Sequence, residues 1–488
     1  MDIFPTYIGP VLQGGIGNLA AYLAAHVLLC LLPAFFIAGA MAALIPQEIV
    51  TRFLGRNSSK FVSYPAAAGA GSLLAVCSCT IVPLFAGIYK KGAGLGPAIT
   101  FLFFAPAANI LALVYTGNII GPDFAAARLI LSLIFGIGIG MIMALVFSAD
   151  DAAHEQAGNH LFADTGSEGV RRGALLFLAV WVVLLLAGTL KLEMLTGVYA
   201  QISLPLSDAA AWQQFLDQLV PYQADKGEEG VSIQGVILIV LLFAIGVSAW
   251  KGLENIQNGP NGWTRLSLVL IAATLLLAAL SLQATPAGLI VGVTGKFFGV
   301  ALALAALYWI ARTRLSSAQV TDWLWESWRF VKQIFPLLVI GVLIVGMIRV
   351  LLRPEWIEML AGTNSLTGNL TGVAFGVFMY FPTLVEVPIA RMFLDLGMHR
   401  GPLLAYLMAD PELSLQSILI ISAIIGRKKT AVYVGLVALF SAVAGMTYGA
   451  WVDGTPFLAL ALWLVVFITS LAALLFAVDR NSRSLKGV

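Results

Sequence analysis

The sequence predicts an all-α polytopic membrane protein with about eleven full transmembrane helices and two broken, re-entrant helical hairpins arranged as an inverted repeat. Composition is the first indication, because 60% of the 488 residues are hydrophobic and only 11% are charged, whereas soluble domains carry roughly a quarter charged residues. A mean hydropathy of +0.94 over the whole length excludes a soluble protein with a single anchor. The net charge of +2, with scattered basic residues, excludes a nucleic-acid binder.

Eleven apolar stretches reach the length of about 20 residues that a bilayer span needs. They lie near 17–45, 95–116, 124–147, 173–191, 231–250, 264–282, 287–310, 331–351, 402–425, 430–450 and 456–478. Two further segments, 66–90 and 370–398, are apolar but interrupted by Gly, Pro or charged residues, and we expect each to enter the bilayer and return. The N-terminus lacks the basic region of a signal peptide, so the first span is predicted to be retained.

The distribution of Lys and Arg decides the orientation, since short cytoplasmic loops collect these residues. With the N-terminus outside and both interrupted segments re-entrant, the inner side holds roughly three times as many Lys and Arg as the outer side. If both interrupted segments crossed the bilayer instead, Lys and Arg would be about evenly divided between the two sides. The sequence therefore predicts a bacterial inner (plasma) membrane protein with its N-terminus outside and its C-terminus in the cytoplasm.

Helix-breaking residues recur 305 positions apart along the chain. The recurring pairs are Pro83 and Pro388, Gly96-Pro97 and Gly401-Pro402, and Pro106 and Pro411. Under the predicted topology the two copies begin in opposite directions, which is the inverted repeat of many secondary transporters. The alternative is a chance alignment of Gly and Pro, which are common in membrane helices.

This repeat divides the chain into five predicted parts. They are a first permease repeat over 1–147, a cytoplasmic linker over 148–172, four intervening spans over 173–330 with an outer loop at 192–230, a second repeat over 331–450, and a final span with a cytoplasmic tail over 451–488. Within the outer loop, Trp212, Phe215 and Leu219 share one face of a predicted helix that lies on the membrane surface.

The run Cys77-Ser78-Cys79-Thr80 falls where the first hairpin would turn. Ser78 and Thr80 are favourable N-cap residues, and Pro83 suits the first turn of the half-helix that follows. The positive end of that half-helix would stabilise a thiolate or an anionic ligand, and thiolates select soft ions. Two cysteines cannot complete a zinc site, so no resident metal or cofactor is predicted, and Cys77 and Cys79 become ligands only if the cargo is a metal or metalloid. The alternative is that both are small buried hydrophobic residues.

Polar residues within the spans form a second group of candidates. Asn109 is expected to bind a neighbouring helix or to line the site. Glu386, Asp410 and Glu412 lie in the second copy, where buried carboxylates are costly and usually functional. We expect these three acids to bind protons. The alternative is that Glu386 pairs with Arg391 and only stabilises the hairpin.

The run from Cys77 to Pro97 resembles the predicted-permease family that includes YraQ and the ArsP organoarsenical efflux permeases. The stretches 105–109, 381–388 and 426–430 fit the same pattern. The resemblance covers both repeats and implies a permease, some members of which export trivalent organoarsenicals through cysteine contacts. Asp410 and Glu412 depart from the small residues expected in this family around the second-copy proline.

These observations predict a secondary transporter, not an enzyme, for a thiophilic solute or a metal(loid) species such as a trivalent organoarsenical. The predicted substrate contacts are Cys77, Ser78, Cys79, Thr80 and Asn109 from the first copy and Pro382, Thr383 and Glu386 from the second. No nucleotide-binding P-loop occurs in the sequence, so uphill transport would draw on an ion gradient through Glu386, Asp410 and Glu412.

Two alternatives remain open. In a thiol-disulfide relay, Cys30 would have to exchange with the Cys77 and Cys79 pair, although its position one turn from His26 indicates helix packing. In a passive channel, flux would not depend on a proton gradient. The expected partners are membrane lipid and the small solute, with no nucleic acid, and the oligomeric state is left open between a monomer and a homo-oligomer.

Overall fold

The computed structural model describes residues 9–485 apart from 26, 46, 57, 74–77, 152–171, 190–192, 206–207, 221–229, 287, 352–354 and 380–382. These residues are mostly helical, as a polytopic membrane protein requires. They contain six helices long and apolar enough to cross a bilayer, or up to eight when two bent helix pairs each count as one span. The larger number of eleven spans stays a prediction, because several apolar helices are shorter than 18 residues.

The elements follow one another in chain order. The first group comprises α1 (Gly9–Ala25), a π-helical turn (Val27–Leu31), α2 (Leu32–Leu44), α3 (Gln47–Leu54), α4 (Lys60–Leu73), α5 (Ser78–Lys90), α6 (Leu95–Ala107), α7 (Ile110–Ile119) and α8 (Pro122–Val146). The second comprises α9 (Arg172–Thr189), α10 (Glu193–Thr196), β1 (Val198–Leu204), α11 (Ala209–Leu219), α12 (Ile233–Leu253), a 3₁₀ turn (Ile256–Asn258), α13 (Gly262–Ala278), β2 (Leu280–Thr285), β3 (Gly288–Thr294) and α14 (Gly295–Thr313). The third comprises α15 (Ser317–Leu351), α16 (Glu355–Ala361), α17 (Leu366–Phe378), α18 (Thr383–Asp395), α19 (Arg400–Leu413), α20 (Leu415–Ile425), α21 (Arg427–Val452) and α22 (Phe457–Leu485).

Two compact units share these elements. Unit 1 contains residues 1–49, 75–91 and 164–351, and unit 2 contains residues 50–74, 92–163 and 352–488. In unit 1, α15 packs against α1 and α2, α2 packs against α5, and α12 pairs with α13. Its core includes aromatic rings, with the Phe36 and Trp181 centroids 4.7 Å apart and Trp323 donating from Nε1 to the Phe36 carbonyl.

The expectation of an all-α fold is wrong for one part of unit 1. Strand β3 lies between β1 and β2 and pairs antiparallel with both, which forms a three-stranded sheet. The predicted spans near 264–282 and 287–310 therefore each contain a strand next to a helix. Leu280-Ser281-Leu282-Gln283 alternates apolar and polar residues, which is the two-residue period of a strand. The helix predicted in the outer loop is present as α11.

Unit 2 is built from two similar groups of three helices. Helix α6 packs against α4 and α8, and α19 packs against α17 and α21. Glycines allow the close approach in both groups: a Cβ at Gly71 would lie 3.0 Å from Ala105 N, and a Cβ at Gly376 would lie 2.7 Å from Asp410 N. Small residues at such contacts are characteristic of membrane helix packing. The two contacts are 305 residues apart.

The helix boundaries recur with the same offset. Helices α5, α6, α7 and α8 begin at 78, 95, 110 and 122, and α18, α19, α20 and α21 begin at 383, 400, 415 and 427. The turns between these helices also correspond, because Gly92 and Gly397 have φ values of 87° and 91°, and Gly121 and Gly426 have 144° and 88°. Positive φ favours glycine, since it has no Cβ. The same helix order thus occurs twice, and the opposite orientation of the copies in a membrane stays a prediction.

The predicted breakers occupy two kinds of position in the helices. Pro83, Pro106, Pro388 and Pro411 lie inside helices, whereas Gly96-Pro97 and Gly401-Pro402 lie in first turns, where proline costs little. Pro83 is not in the first turn of its helix, because α5 begins at Ser78. The predicted spans 95–116 and 402–425 are interrupted at Ala108-Asn109 and at Ser414, with a bend of 47° at the second.

Candidate functional site

An ion pair fully buried in unit 2 is the centre of the candidate site. Arg128 on α8 donates from Nη2 to Oε1 of Glu386 on α18 at 2.6 Å, and neither side chain is exposed to solvent. Arg128 also donates from Nε to the Ala107 carbonyl at 2.8 Å and from Nη1 to Thr116 Oγ1 at 3.1 Å. The guanidinium therefore has three separate partners, as a buried cation requires.

The ends of two helices account for this arrangement. Ala107 is the last residue of α6, where carbonyls have no partner within the helix and the helix dipole favours a cation. Glu386 lies in the first turn of α18, where the dipole favours an anion. Arg128 joins these two ends, and each helix end favours the charge placed against it.

Two further carboxylates lie on α19. Asp410 and Glu412 are both buried, and Glu412 accepts a hydrogen bond from the Tyr433 hydroxyl at 2.7 Å through Oε2. Glu412 is within Coulombic range of Glu386, whereas its Oε1 atom has no hydrogen-bond partner. Two carboxylates, an arginine and a tyrosine from four helices thus form one buried group, which we call the acid cluster: Arg128, Glu386, Glu412 and Tyr433.

Buried carboxylates outnumber buried cations among the described residues of unit 2. Among the described residues of unit 2, the buried side chains that can carry charge are Arg128, Asp151, Glu386, Asp410 and Glu412. Asp151 accepts a hydrogen bond from the Leu95 backbone at the start of α6. A charged carboxylate buried next to another carboxylate is costly, and Glu412 is in this position relative to Glu386.

Asn109 performs a local role at the same helix end. It is the N-cap of α7, where its Oδ1 accepts from Ala112 N at 2.8 Å. Its amide donates to the Ala105 carbonyl at 3.0 Å, two residues before the Arg128 contact on Ala107. Asn109 thus connects the broken ends of α6 and α7.

Of the first-copy candidates, Asn109 lies in unit 2, whereas Ser78, Cys79 and Thr80 lie in unit 1. Thr80 is fully buried, and its Oγ1 lies 2.7 Å from Sγ of Cys30 on the π-helical turn. Cys77, like His26, lies outside the described residues. For Ser78 and Cys79 the structure describes only the backbone, in the first turn of α5.

The second-copy candidates differ in how far the structure describes them. Pro382 lies outside the described residues, and Thr383 is described only as the first residue of α18. The alternative that Glu386 pairs with Arg391 is wrong, because Arg391 pairs with Asp395 at 3.2 Å, one turn away on the exposed side of α18.

The sequence-based expectations assigned no functional role to Arg128. The available signal was an arginine within a strongly apolar helix of 25 residues, since charged residues are rare in spans and usually functional. Tyr433 carried no comparable signal, because a single tyrosine in a membrane helix is common.

Comparisons with known proteins agree with the composition and the helical fold. Residues 13–450 match a family described as a predicted permease. The chain is 32% identical to the UPF0718 protein of Methanocaldococcus jannaschii over 449 residues, which cover 92% of this chain and 98% of that protein. No solved structure matches the chain. The protein is therefore a multi-pass membrane protein that belongs to the predicted-permease family.

Proposed function

We propose that the protein is a secondary transporter of the bacterial inner membrane that moves a thiophilic small solute, such as a trivalent organoarsenical, and couples this movement to protons. Cys77 and Cys79 bind the solute, with Ser78, Thr80, Asn109, Pro382 and Thr383 lining its path. Glu386, Asp410 and Glu412 carry the protons. Membership of a permease family supports the transporter role.

The observation that carries the coupling proposal is that Glu412 is a second buried carboxylate within Coulombic range of Glu386, the acid that pairs with Arg128. Arg128 compensates the charge of one carboxylate, Glu386. A second carboxylate close by is costly unless it holds a proton, because two buried anions repel each other. Glu412 binds a proton in one conformation and releases it when water reaches the acid cluster in another.

Proton-driven uptake tests this role. The assay measures the uptake of phenylarsine oxide, a trivalent organoarsenical, by proteoliposomes with an imposed pH gradient. We expect Glu412→Gln to abolish the stimulation by the gradient, because glutamine keeps the size and the acceptor for Tyr433 but cannot release a proton. Asp395→Asn is the matched control, since Asp395 is an exposed acid on α18 and its loss should leave uptake unchanged.

Two outcomes would contradict the proposal. If Glu412→Gln and Asp410→Asn both keep gradient-driven uptake at the wild-type rate, these acids do not couple transport. If wild-type flux does not depend on the gradient, the protein is a passive channel.

The thiols need a separate experiment. Cys77→Ser and Cys79→Ser should lose uptake of phenylarsine oxide, whereas Cys30→Ser should retain it, because a serine hydroxyl at position 30 can keep the hydrogen bond to Thr80. Loss of activity in Cys30→Ser together with the other two variants would favour the thiol-disulfide relay. Retention in all three would exclude a cysteine site.

The inverted orientation of the copies is tested by labelling. Lys60 is the first residue of α4 and Thr363 precedes α17, and both residues are exposed. In a cysteine-free background, Lys60→Cys should react with a membrane-impermeant maleimide from the cytoplasmic side and Thr363→Cys from the outside. Labelling from the same side would contradict the inverted repeat.

A further inference from the structure

Unit 1 contains a large apolar cavity that the proposed transport mechanism does not use. Its volume is about 880 Å³, and it lies between α1, α2, α12, α13 and α15. Phe35, Leu242, Phe335 and Val339 are among the side chains that line it. Gly246 leaves part of this space open, because a Cβ added there would meet no atom within 4 Å.

The cavity borders an exposed apolar surface. Phe243 and Trp250 line it and are 76% and 63% exposed, and both lie on α12, which is one of the candidate membrane spans. In a membrane such a surface faces lipid. The cavity is thus accessible to an acyl chain from the bilayer.

One end of the cavity is cationic. Lys251, near the end of α12, lies over the Trp263 ring at 4.6 Å, and Lys332 on α15 donates to Glu254 at 2.5 Å. Hydrogen bonds from Lys332 and from Trp328 hold the pKa of Glu254 below its usual range, so this carboxylate stays charged and fixes the end of α12 against α15. Two lysines and one glutamate leave a net charge of one positive unit at this end.

The cavity is at least as long as one leaflet is deep. Its lining runs along α12 from Ile239 to Leu253, which is about 21 Å at 1.5 Å per residue. One leaflet contributes about half of a hydrocarbon core of roughly 30 Å. The lining is therefore long enough to cover the whole depth of one leaflet, starting from the lysines.

We propose that this cavity is a binding site for an anionic phospholipid, with an acyl chain between α12 and α15 and the phosphate against Lys251 and Lys332. The apolar lining and its depth select a lipid chain. The cationic end selects a negatively charged headgroup, and basic residues near the membrane surface attract such lipids. The site is separate from the acid cluster and does not depend on the proposed transport function.

Photolabelling tests this proposal on the full-length protein. The probe is phosphatidylglycerol with a diazirine in its acyl chain, compared with phosphatidylcholine that carries the same chain, in vesicles of phosphatidylethanolamine. We expect peptides of α12 and α15 to be labelled about fivefold more by phosphatidylglycerol. Lys251→Gln should remove most of this preference.

Two glycine variants separate occupancy of the cavity from general contact with lipid. Gly246→Phe fills the cavity and should reduce labelling of α12 to the background level. Gly435→Phe on α21 is the matched control, because a Cβ at Gly435 also meets no atom within 4 Å and Gly435 does not line the cavity. It should leave labelling unchanged.

Either of two results would overturn the proposal. Labelling of Gly246→Phe at the wild-type level would show that the chain does not enter the cavity. Equal labelling by phosphatidylglycerol and phosphatidylcholine would show a recess that accepts any apolar chain, including an apolar solute, without recognition of the headgroup.

Discussion

Helices α6–α8 and α19–α21 share a backbone plan but bury different chemical groups. Both sets begin after a glycine turn and pack through glycines at equivalent positions. However, Arg128 in the first set corresponds to Tyr433 in the second, and Ala107 corresponds to Glu412. Glycines and turns at equivalent positions thus give both copies the same fold, whereas a few buried polar residues give each copy different chemical groups.

Removing the cation of the first copy should have the largest effect. Arg128→Met leaves Glu386 buried without compensation, and we expect a loss of about 3–5 kcal/mol in the free energy of unfolding. The double variant Arg128→Met, Glu386→Gln should recover much of this loss. Unfolding in detergent micelles, followed in a double-mutant cycle, measures the coupling. Strictly additive effects of the two substitutions would contradict a direct pair.

Adding a methyl group at equivalent glycines should show which copy is packed more tightly. Gly376→Ala places Cβ 2.7 Å from Asp410 N, and Gly71→Ala places it 3.0 Å from Ala105 N. Overpacking of this kind costs about 1–3 kcal/mol, and we expect the larger loss of thermal stability for Gly376→Ala. Gly435→Ala, which meets no neighbouring atom, should be neutral or slightly stabilising. A larger loss of thermal stability for Gly71→Ala than for Gly376→Ala would contradict tighter packing in the second copy.

The second-copy counterpart of Arg128 should matter less for stability. Tyr433→Phe removes the hydrogen bond to Glu412 and leaves its Oε2 without this donor. A buried acceptor that loses its partner costs about 1–2 kcal/mol. Thermal unfolding should therefore show a smaller shift than for Arg128→Met. Equal shifts would mean that the two positions contribute alike, despite their different chemistry.

The smallest effect is expected at a second ion pair that joins the two copies. Arg400, at the start of α19, pairs with Asp123, at the start of α8, at 2.8 Å, and the Tyr448 hydroxyl also donates to Asp123. Both charged side chains are about one-third exposed, so water and salt screen the pair. Arg400→Gln should lower stability by less than about 1 kcal/mol, and by less still in high salt. A loss as large as that of Arg128→Met would contradict this ranking.

Local sequence patterns were sufficient to predict much of the helical architecture. The offset of 305 residues was visible in Pro83 and Pro388, and the helix boundaries follow the same offset. The short sheet was missed because an apolar run such as Leu289-Ile290-Val291 resembles a membrane span when it precedes an apolar helix.

The partners of individual polar residues were harder to predict. The alternative to proton binding paired Glu386 with an arginine on its own helix, but its partner Arg128 lies 258 residues earlier in the chain. Such a contact depends on how α8 and α18 pack together, which no local pattern specifies. Asn109 was recognised as unusual, yet its role as an N-cap follows only from the break between α6 and α7.

The pair between Arg128 and Glu386 also has a consequence for the ancestry and assembly of the chain. The position 305 residues before Glu386 is Ile81, and the position 305 residues after Arg128 is Tyr433. Neither half of the molecule therefore contains both charges, and two identical halves could not form the pair. If the gene were split between the repeats, the two different halves should associate with each other, and neither half should form this ion pair in a homodimer. Each repeat therefore contributes one charge that the other repeat lacks.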